Sequence, residues 1–470
     1  MKRYKKVVLF FLLSMIFAAV CRQEANAETG KYGKNITWRL EDGVLTILGK
    51  GDMPECGHKK LKLFEGQISC NEEDDEEEGK WYEEDTERIV IEEGVTSIAA
   101  HAFFGVGNIK SISIPSSVKK IGHAAFACSD IQEIVIPDSV TSIGEGAFFG
   151  CSDLERVTLP KNLKKIRKMT FDGCYSLKEL NIPPKVQTIG EGACDGCGSL
   201  KELNIPPKVQ TIGVKAFYSC DGLIKVNWEG KSTLKVIEAD AFKDCNIAQF
   251  TIPVSVNKII SSGVSGTKEI KVDKKNKKYK SKNGVLFSKN GKELVCYPAN
   301  RKKSVYKIPK GVKIIGTCAF VDNWQIKKVT MPDSVTVVEQ SAFSGAEKLK
   351  TVRLSKNLKK IERSAFNCSL TALKLPSSLV VIEDYAFNCF NLKGNLVVPK
   401  NVKEIGYHAF TNAFKVKKIL IKSKKLKKVD KEMVFSINKV TIILPKSKKE
   451  SYKKFFTKKR QGKNIKFIYK

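Results

Sequence analysis

The sequence predicts a mainly β solenoid of about 13 coils, built on parallel strand ladders. An N-terminal β-hairpin cap, a mid-array β-hairpin insertion and a C-terminal α/β cap complete it. Three observations carry this. Ser176–Gly190 and Ser199–Gly213 are the same fifteen residues, SLKELNIPPKVQTIG, set 23 residues apart, and a fixed period of this size marks stacked supersecondary units. Loosened, the template places one residue per unit at Phe103, Phe126, Phe148, Phe171, Cys194, Phe217, Phe242, Val264, Phe320, Phe343, Phe366, Phe387 and Phe410, with steps of 21 to 25 residues and one gap of 56. Each unit also contains a short apolar-polar-apolar run closed by proline, the alternation of a strand ended by a residue with no N–H to donate.

In chain order, Lys2, Arg3, Lys5 and Lys6 precede an apolar run from Val7 to Val20, and Ala25-Asn26-Ala27 offers small residues for cleavage. Residues 1–27 therefore read as a secretory signal peptide. Cys21 leaves a lipoprotein leader as the alternative, against which the bulk of Val20 weighs. No second apolar stretch approaches the ~20 residues that span a bilayer, and no sorting signal is legible at Lys470. The expectation is an exported, secreted or cell-surface chain without a covalent anchor.

Residues 28–55 form a cap segment. Ile36–Gly49 alternates about Asp42-Gly43, a hairpin signal, and a bare solenoid end needs covering. Residues 56–88 are a variable acidic loop with seven consecutive acids, Glu72–Glu78. Such a run is a solvated segment that lacks the spaced oxygens of a calcium loop; association with the basic remainder is the other reading. Cys56 and Cys70 could close a 14-residue loop.

The repeats proper occupy 89–272 and 310–423, with consensus V-x-x-I-G-x-x-A-F-x-x-C-x-x-L-x-x-I-x-I-P. I-x-I and V-x-x-I give two extended segments per coil, hence two ladders. Gly122, Gly144, Gly190, Gly213, Gly316 and Gly406 mark the bend, and A-F-x-x-C reads as a tight helical turn with its aromatic in the core. Cys128, Cys151, Cys174, Cys197, Cys220, Cys245, Cys368 and Cys389 recur just after the aromatic slot, which predicts a buried column of small hydrophobes, free thiols being the favoured reading and pairing between neighbours about 5 Å apart the alternative. Residues 273–309 interrupt the array and read as a projecting lysine-rich hairpin with turns at Asn283-Gly284 and Asn290-Gly291. Residues 424–470 form a basic cap: a strand at Val440–Leu444, a helical Lys446–Lys459 and a last strand at Ile465–Tyr469.

This L-x-x-I-x-I-P-x-x-V-x-x-I-G-x-x-A-F-x-x-C pattern resembles the BspA-like bacterial surface leucine-rich repeats from Val95 to about Ile421, and Trp38–Met53 resembles the head segment of that family. The resemblance implies a leucine-rich-repeat solenoid on an exported surface protein that binds proteins of a host or a neighbouring cell.

The chain carries 73 Lys and 10 Arg, and a net charge of +33 that falls to +29 without the leader. Lysine is a hydrated point charge and arginine the fork for specific phosphate recognition. The balance suits diffuse attraction to anionic wall polymers, with no specific nucleic acid, or a merely solvated face. Four histidines occur; His101, His123 and His408 fall in the turn before the aromatic, taken as exposed, and His58 in the loop. No metal, phosphate-loop or nucleophile motif is present, so neither cofactor, metal nor catalytic residue is expected. A polysaccharide-active enzyme using Glu179 and Glu202, one coil apart, is the weakest alternative. The candidate ligand-binding row is the outward residue of each I-x-I strand: Thr158, Asn181, Asn204, Asn227, Thr251, Lys271, Thr330, Arg353 and Lys374. A polar strip on a rigid scaffold suits extracellular proteins or glycans. The reading is a non-catalytic adhesin, with an envelope component held by charge as its alternative.

Overall fold

A computed structural model describes residues 27–55, 86–389, 391–434 and 438–470. The signal peptide up to Asn26, Cys56, Cys70, His58 and the acidic run Glu72–Glu78 lie outside the described residues. The chain is mainly β, a solenoid of about 16 turns, and divides into two compact units, residues 1–183 and 184–470.

In the first unit the cap contains one more strand than the hairpin signal showed. Glu28–Tyr32, Ile36–Glu41 and Val44–Gly49 form an antiparallel meander, and Val44–Gly49 then accepts Arg88–Ile91 in parallel, Leu45 opposite Ile89 and Ile47 opposite Ile91. The cap thus satisfies the edge that the first coil would otherwise expose. The I-x-I ladder continues through Glu133–Val135, Arg156–Thr158 and Glu179–Leu180. A second ladder runs through Val95–Ile98, Lys120–Ile121 and Ser142–Ile143. Between them Phe103, Phe126, Phe148 and Phe171 are fully buried and stacked, with ring centroids 5.3, 5.4 and 5.5 Å apart. The ~4.8 Å strand spacing imposes that distance, and a slight offset suits the ring quadrupoles.

The A-F-x-x-C segment is not the helical turn expected. The residue two before each phenylalanine of the column is left-handed, as at Ala124 (φ 47°), Met169 (φ 54°), Lys215 (φ 53°) and Tyr385 (φ 53°), and so in many coils is the residue two after it, as at Cys128 (φ 57°) and Ser219 (φ 52°). Alternating hands turn successive amides the same way. Phe103 N–H donates to the Ala125 carbonyl of the next coil (2.7 Å) and Phe126 N–H to that of Ala147 (2.9 Å). A third ladder therefore replaces the intrahelical bonds, and these inter-coil bonds offset the left-handed cost. The glycine before this turn has a related reason. A Cβ on Gly144 would lie 2.3 Å from the Gly122 carbonyl oxygen and 2.4 Å from its carbon, so coil packing, not a bend, demands its absence.

In the second unit the V-x-x-I ladder passes through Thr211–Ile212, Val236–Ile237 and Lys258–Ile259. The segment 273–309 interrupts both ladders as expected, since Lys258–Ile259 and Ile270–Val272 each end a sheet and new sheets begin with Tyr279–Lys282 and Val305–Lys307, but it is packed in and does not project. Tyr279–Lys282 pairs antiparallel with Val285–Ser288, which pairs antiparallel with Glu293–Cys296; Leu294 then lies in parallel register with Ile315. Val285, Leu286, Phe287 and Leu294 are buried. Tyr297 fills the aromatic slot and stacks on Phe320 at 4.9 Å. The 56-residue gap thus holds one complete coil with tyrosine for phenylalanine plus a hairpin stitched into the ladder. Stacking resumes through Phe343, Phe366, Phe387 and Phe410 at 4.7 to 5.6 Å.

Lys393–Val398, Lys415–Ile421, Val440–Leu444 and Ile465–Tyr469 form a four-stranded parallel sheet. The cap helices are short, Lys449–Lys453 and Lys458–Gln461. Tyr452, Phe455 and Phe456 are buried and plug the core; none is presented to a surface. Past the last aromatic turn, Glu432 N–H donates to the Arg460 carbonyl (2.7 Å) and Met433 N–H to Gln461 Oε1 (3.0 Å), so the cap supplies the acceptors that a next coil would have supplied.

Candidate functional site

Strand alternation places the candidate residues that lie in strands on the outer face. Thr158, Asn181, Asn204, Lys271, Arg353 and Lys374 are exposed; Asn227, Thr251 and Thr330 are half-buried. The row is not continuous. In the first unit Thr158 ends one strand and Asn181 follows the strand paired with it. In the second, Asn204 and Asn227 lie opposite one another, and Asn227 Nδ2 donates to Asn204 Oδ1 at 2.9 Å. Thr251 faces Lys271, and Thr330 faces Arg353. Lys374 belongs to no strand.

Trp228 marks the break between the second and third of these groups. Its strand pairs back with Glu202–Ile205, and its indole N–H donates to the Thr251 carbonyl at 2.8 Å. The indole thus takes an acceptor that a ladder neighbour would have used. Beside the row, exposed ions pair from coil to coil: Arg156 with Glu133, Lys178 with Glu155 at 2.6 Å and Lys225 with Glu202 at 3.0 Å. The hydrogen bond from Lys178 holds the Glu155 carboxyl below its ordinary range. Such pairs are worth little individually but neutralise the first half of the row, leaving Lys271, Arg353 and Lys374 as its cationic part.

Sequence reasoning missed what the cysteines do. Cys151 Sγ donates to the Phe126 carbonyl (3.0 Å), Cys174 to Phe148 (3.1 Å), Cys220 to Cys194 (3.1 Å), Cys245 to Phe217 (3.1 Å) and Cys389 to Phe366 (3.3 Å). Each thiol ties its turn to the coil before it. All eight column cysteines but the half-buried Cys128 are buried. Burial pushes the Cys151 and Cys296 thiols up to about 12. The signal was present: Asn323, three residues after Phe320 where these coils carry cysteine, donates to the Pro298 carbonyl at 2.8 Å.

The histidines differ from expectation. His101 is buried and left-handed at φ 59°, with His123 edge-on at 5.2 Å, because the turn that holds them is packed against its neighbour. His408 Nε2 lies 3.1 Å from Glu432 Oε2. Among the described residues no group of three or more His, Cys, Asp or Glu could hold a metal ion, and no helix is long and apolar enough to cross a membrane. One recess, about 330 Å³, was not foreseen; Ile259, Ile260, Ser261, Glu293, Val295, Thr317 and Glu339 line it. Thr317 donates its N–H (3.0 Å) and hydroxyl (3.1 Å) to Glu339, while burial and that neighbouring carboxylate push Glu293 up.

The profile of the BspA type leucine-rich repeat region, six copies long, matches residues 77–193, 147–271, 313–442 and 388–470. The chain belongs to this family. The BspA-type array is similar to the crystal structure of the pneumococcal vaccine antigen PcpA, at 21% identity and a TM-score of 0.56, covering 94% of this chain and 98% of that one. It is also similar to a leucine-rich cell surface protein of Faecalibacterium prausnitzii, at 25% identity and a TM-score of 0.57, covering 85% and 96%. No curated protein matches. In BspA-type coils such as these, the stacked phenylalanines and thiols are scaffold, and the outward strand residues are what the scaffold presents.

Proposed function

We propose that the protein is a secreted or cell-surface binding protein, an adhesin without catalysis, that recognises host or bacterial-surface proteins or glycans along its outward strand residues. The observation that carries this is the row itself: polar and cationic side chains held outward by strands whose other face is a packed aromatic column. The family, and the cell-surface description of the Faecalibacterium relative, support the location. Export rests on the leader at residues 1–27, with cleavage after Ala27.

The alternative is an envelope component held electrostatically to anionic wall polymers. Residues 415–470 favour it, with 21 basic and 3 acidic residues, +18 net. The enzyme reading loses support, because Glu202 is exposed and paired with Lys225 at 3.0 Å.

Residues 28–470 would be tested for binding to immobilised matrix proteins and to bacterial wall fractions at 50 and 500 mM salt. Saturable binding that survives high salt, and weakens in an Asn204→Ala/Arg353→Ala/Lys374→Ala variant, is expected. Attachment to walls alone, abolished by salt as screened charges require, would replace this reading with the alternative.

A further inference from the structure

The candidate row changes character at the C-terminal sheet. Register sets Val397 opposite Leu420, Leu420 opposite Ile443, and Ile443 opposite Ile468. All four alternate with core residues (Leu396 and Val398, Ile419 and Ile421, Ile442 and Leu444), and Phe467 and Tyr469, either side of Ile468, pack against the core. The four therefore point outward: Val397 is 36% exposed, and Leu420, Ile443 and Ile468 are half-buried. Two residues nearer the N-terminus of each strand runs a polar outward row, Asn395, Lys418, Thr441 and Lys466, also in register. Exposed Lys415 and Lys417 on the same sheet and Lys422 just past it add charge. A soluble strand face has no use for four aliphatics in line.

We propose that this face is a docking surface for an acidic polypeptide segment that also carries aliphatic or aromatic side chains. The proposal rests on the binding-protein reading and specifies one partner for one part of the surface. Charge complementarity sets the sign, since the surrounding 56 residues are +18 net. The aliphatic row sets the second requirement, because a wall polyanion offers nothing to cover it. Its shape separates a polypeptide from a bilayer. The row is one residue wide and partly sunk between strands, at the ~4.8 Å spacing of the ladder, so it matches side chains projecting from a single segment laid across the strands. A bilayer would need protruding apolar residues.

The probe is a synthetic peptide of the chain's own residues 71–85, NEEDDEEEGKWYEED, which combines acids with two aromatics. Its Trp81→Gly/Tyr82→Gly form, poly-glutamate and phosphatidylglycerol vesicles are the comparisons, each titrated onto residues 28–470 at 150 mM salt. Expected is saturable binding of the peptide, weakened at least tenfold by the glycine changes, by Leu420→Ser/Ile443→Ser, and by Lys418→Glu/Lys466→Glu. The last pair is exposed and guards against misfolding of the serine variant. Equal binding of the peptide and its glycine form, binding of poly-glutamate or vesicles only, indifference to the Leu420 and Ile443 changes in a folded variant, or no binding would each overturn the proposal. The matrix-binding assay uses other residues and other ligands, so its failure is a separate result.

Discussion

Replacing Cys174 discriminates between two physical accounts of the thiol column. If cysteine is there as a small hydrophobe, valine should serve and serine should harm. If it is there as a donor, the order reverses. Cys174 is fully buried and its Sγ lies 3.1 Å from the Phe148 carbonyl oxygen, which also accepts the Cys151 N–H at 3.3 Å. Losing the thiol leaves that carbonyl with one partner, so the loss is the net worth of one hydrogen bond, about 1 kcal/mol, not a full desolvation penalty. Valine adds a branched methyl in a packed column, for a total of about 2 kcal/mol. Serine keeps the donor, with a precedent in buried Ser129, whose hydroxyl donates to the Phe126 carbonyl at 2.6 Å, and should cost less than about 1 kcal/mol. An array of repeats need not unfold in one step, so the readout is hydrogen exchange at Phe148 and Phe171 together with the denaturant midpoint. Valine more stable than serine would refute the donor account.

The same column should fail in alkali. Burial raises the folded thiol of Cys151 in the column, and that of Cys296 outside it, to about 12 from the ordinary 9.0. A raised folded pKa means stability fully present below the unfolded value and lost as pH rises toward the folded one. The unfolded chain releases protons first, at about 1.4 kcal/mol per pH unit per thiol. Midpoints measured from pH 8 to 11 should therefore be flat to about 9 and then fall, and Cys151→Ser should fall less steeply; a slope that Cys151→Ser leaves unchanged would rule this out. Gln461→Ala should loosen the C-terminal end, since its side chain accepts from Met433 N–H and donates to the Asp430 and Phe455 carbonyls at 2.9 and 3.0 Å. Faster exchange at Met433, with the Phe320–Phe343 turns unaffected and a cost of about 1–3 kcal/mol, is the expected result.

Period, ladders, aromatic column and both caps were legible because each rests on spacing, and spacing survives in a sequence. The left-handed turn was not. Ala124, Met169, Lys215 and Tyr385 share no residue type that announces φ > 0, because bonds between coils, not intrinsic preference, hold them there. The 273–309 segment misled for a related reason: Tyr297 fills the slot of a phenylalanine, and counting phenylalanines turned a complete coil into a gap. The row positions of the candidate site could be read from alternation. Its interruptions could not, since Trp228 spends its indole N–H on a carbonyl far along the chain.

Two coils of this protein share fifteen identical residues, and all are held by the same packing, so the scaffold cannot distinguish one ligand from another. Discrimination can reside only where packing imposes nothing, at the outward strand positions. There the sequence repeats only locally, as Asn181, Asn204 and Asn227, and otherwise changes from coil to coil. It passes from Thr158 and Asn181 in the first unit, and Asn204 and Asn227 in the second, through Lys271 and Arg353, to Val397, Leu420, Ile443 and Ile468. A drift without function would scatter polar and apolar residues along such a face. The aliphatics instead gather on four adjacent strands beside the densest positive charge, and that clustering is the arrangement on which the docking proposal rests.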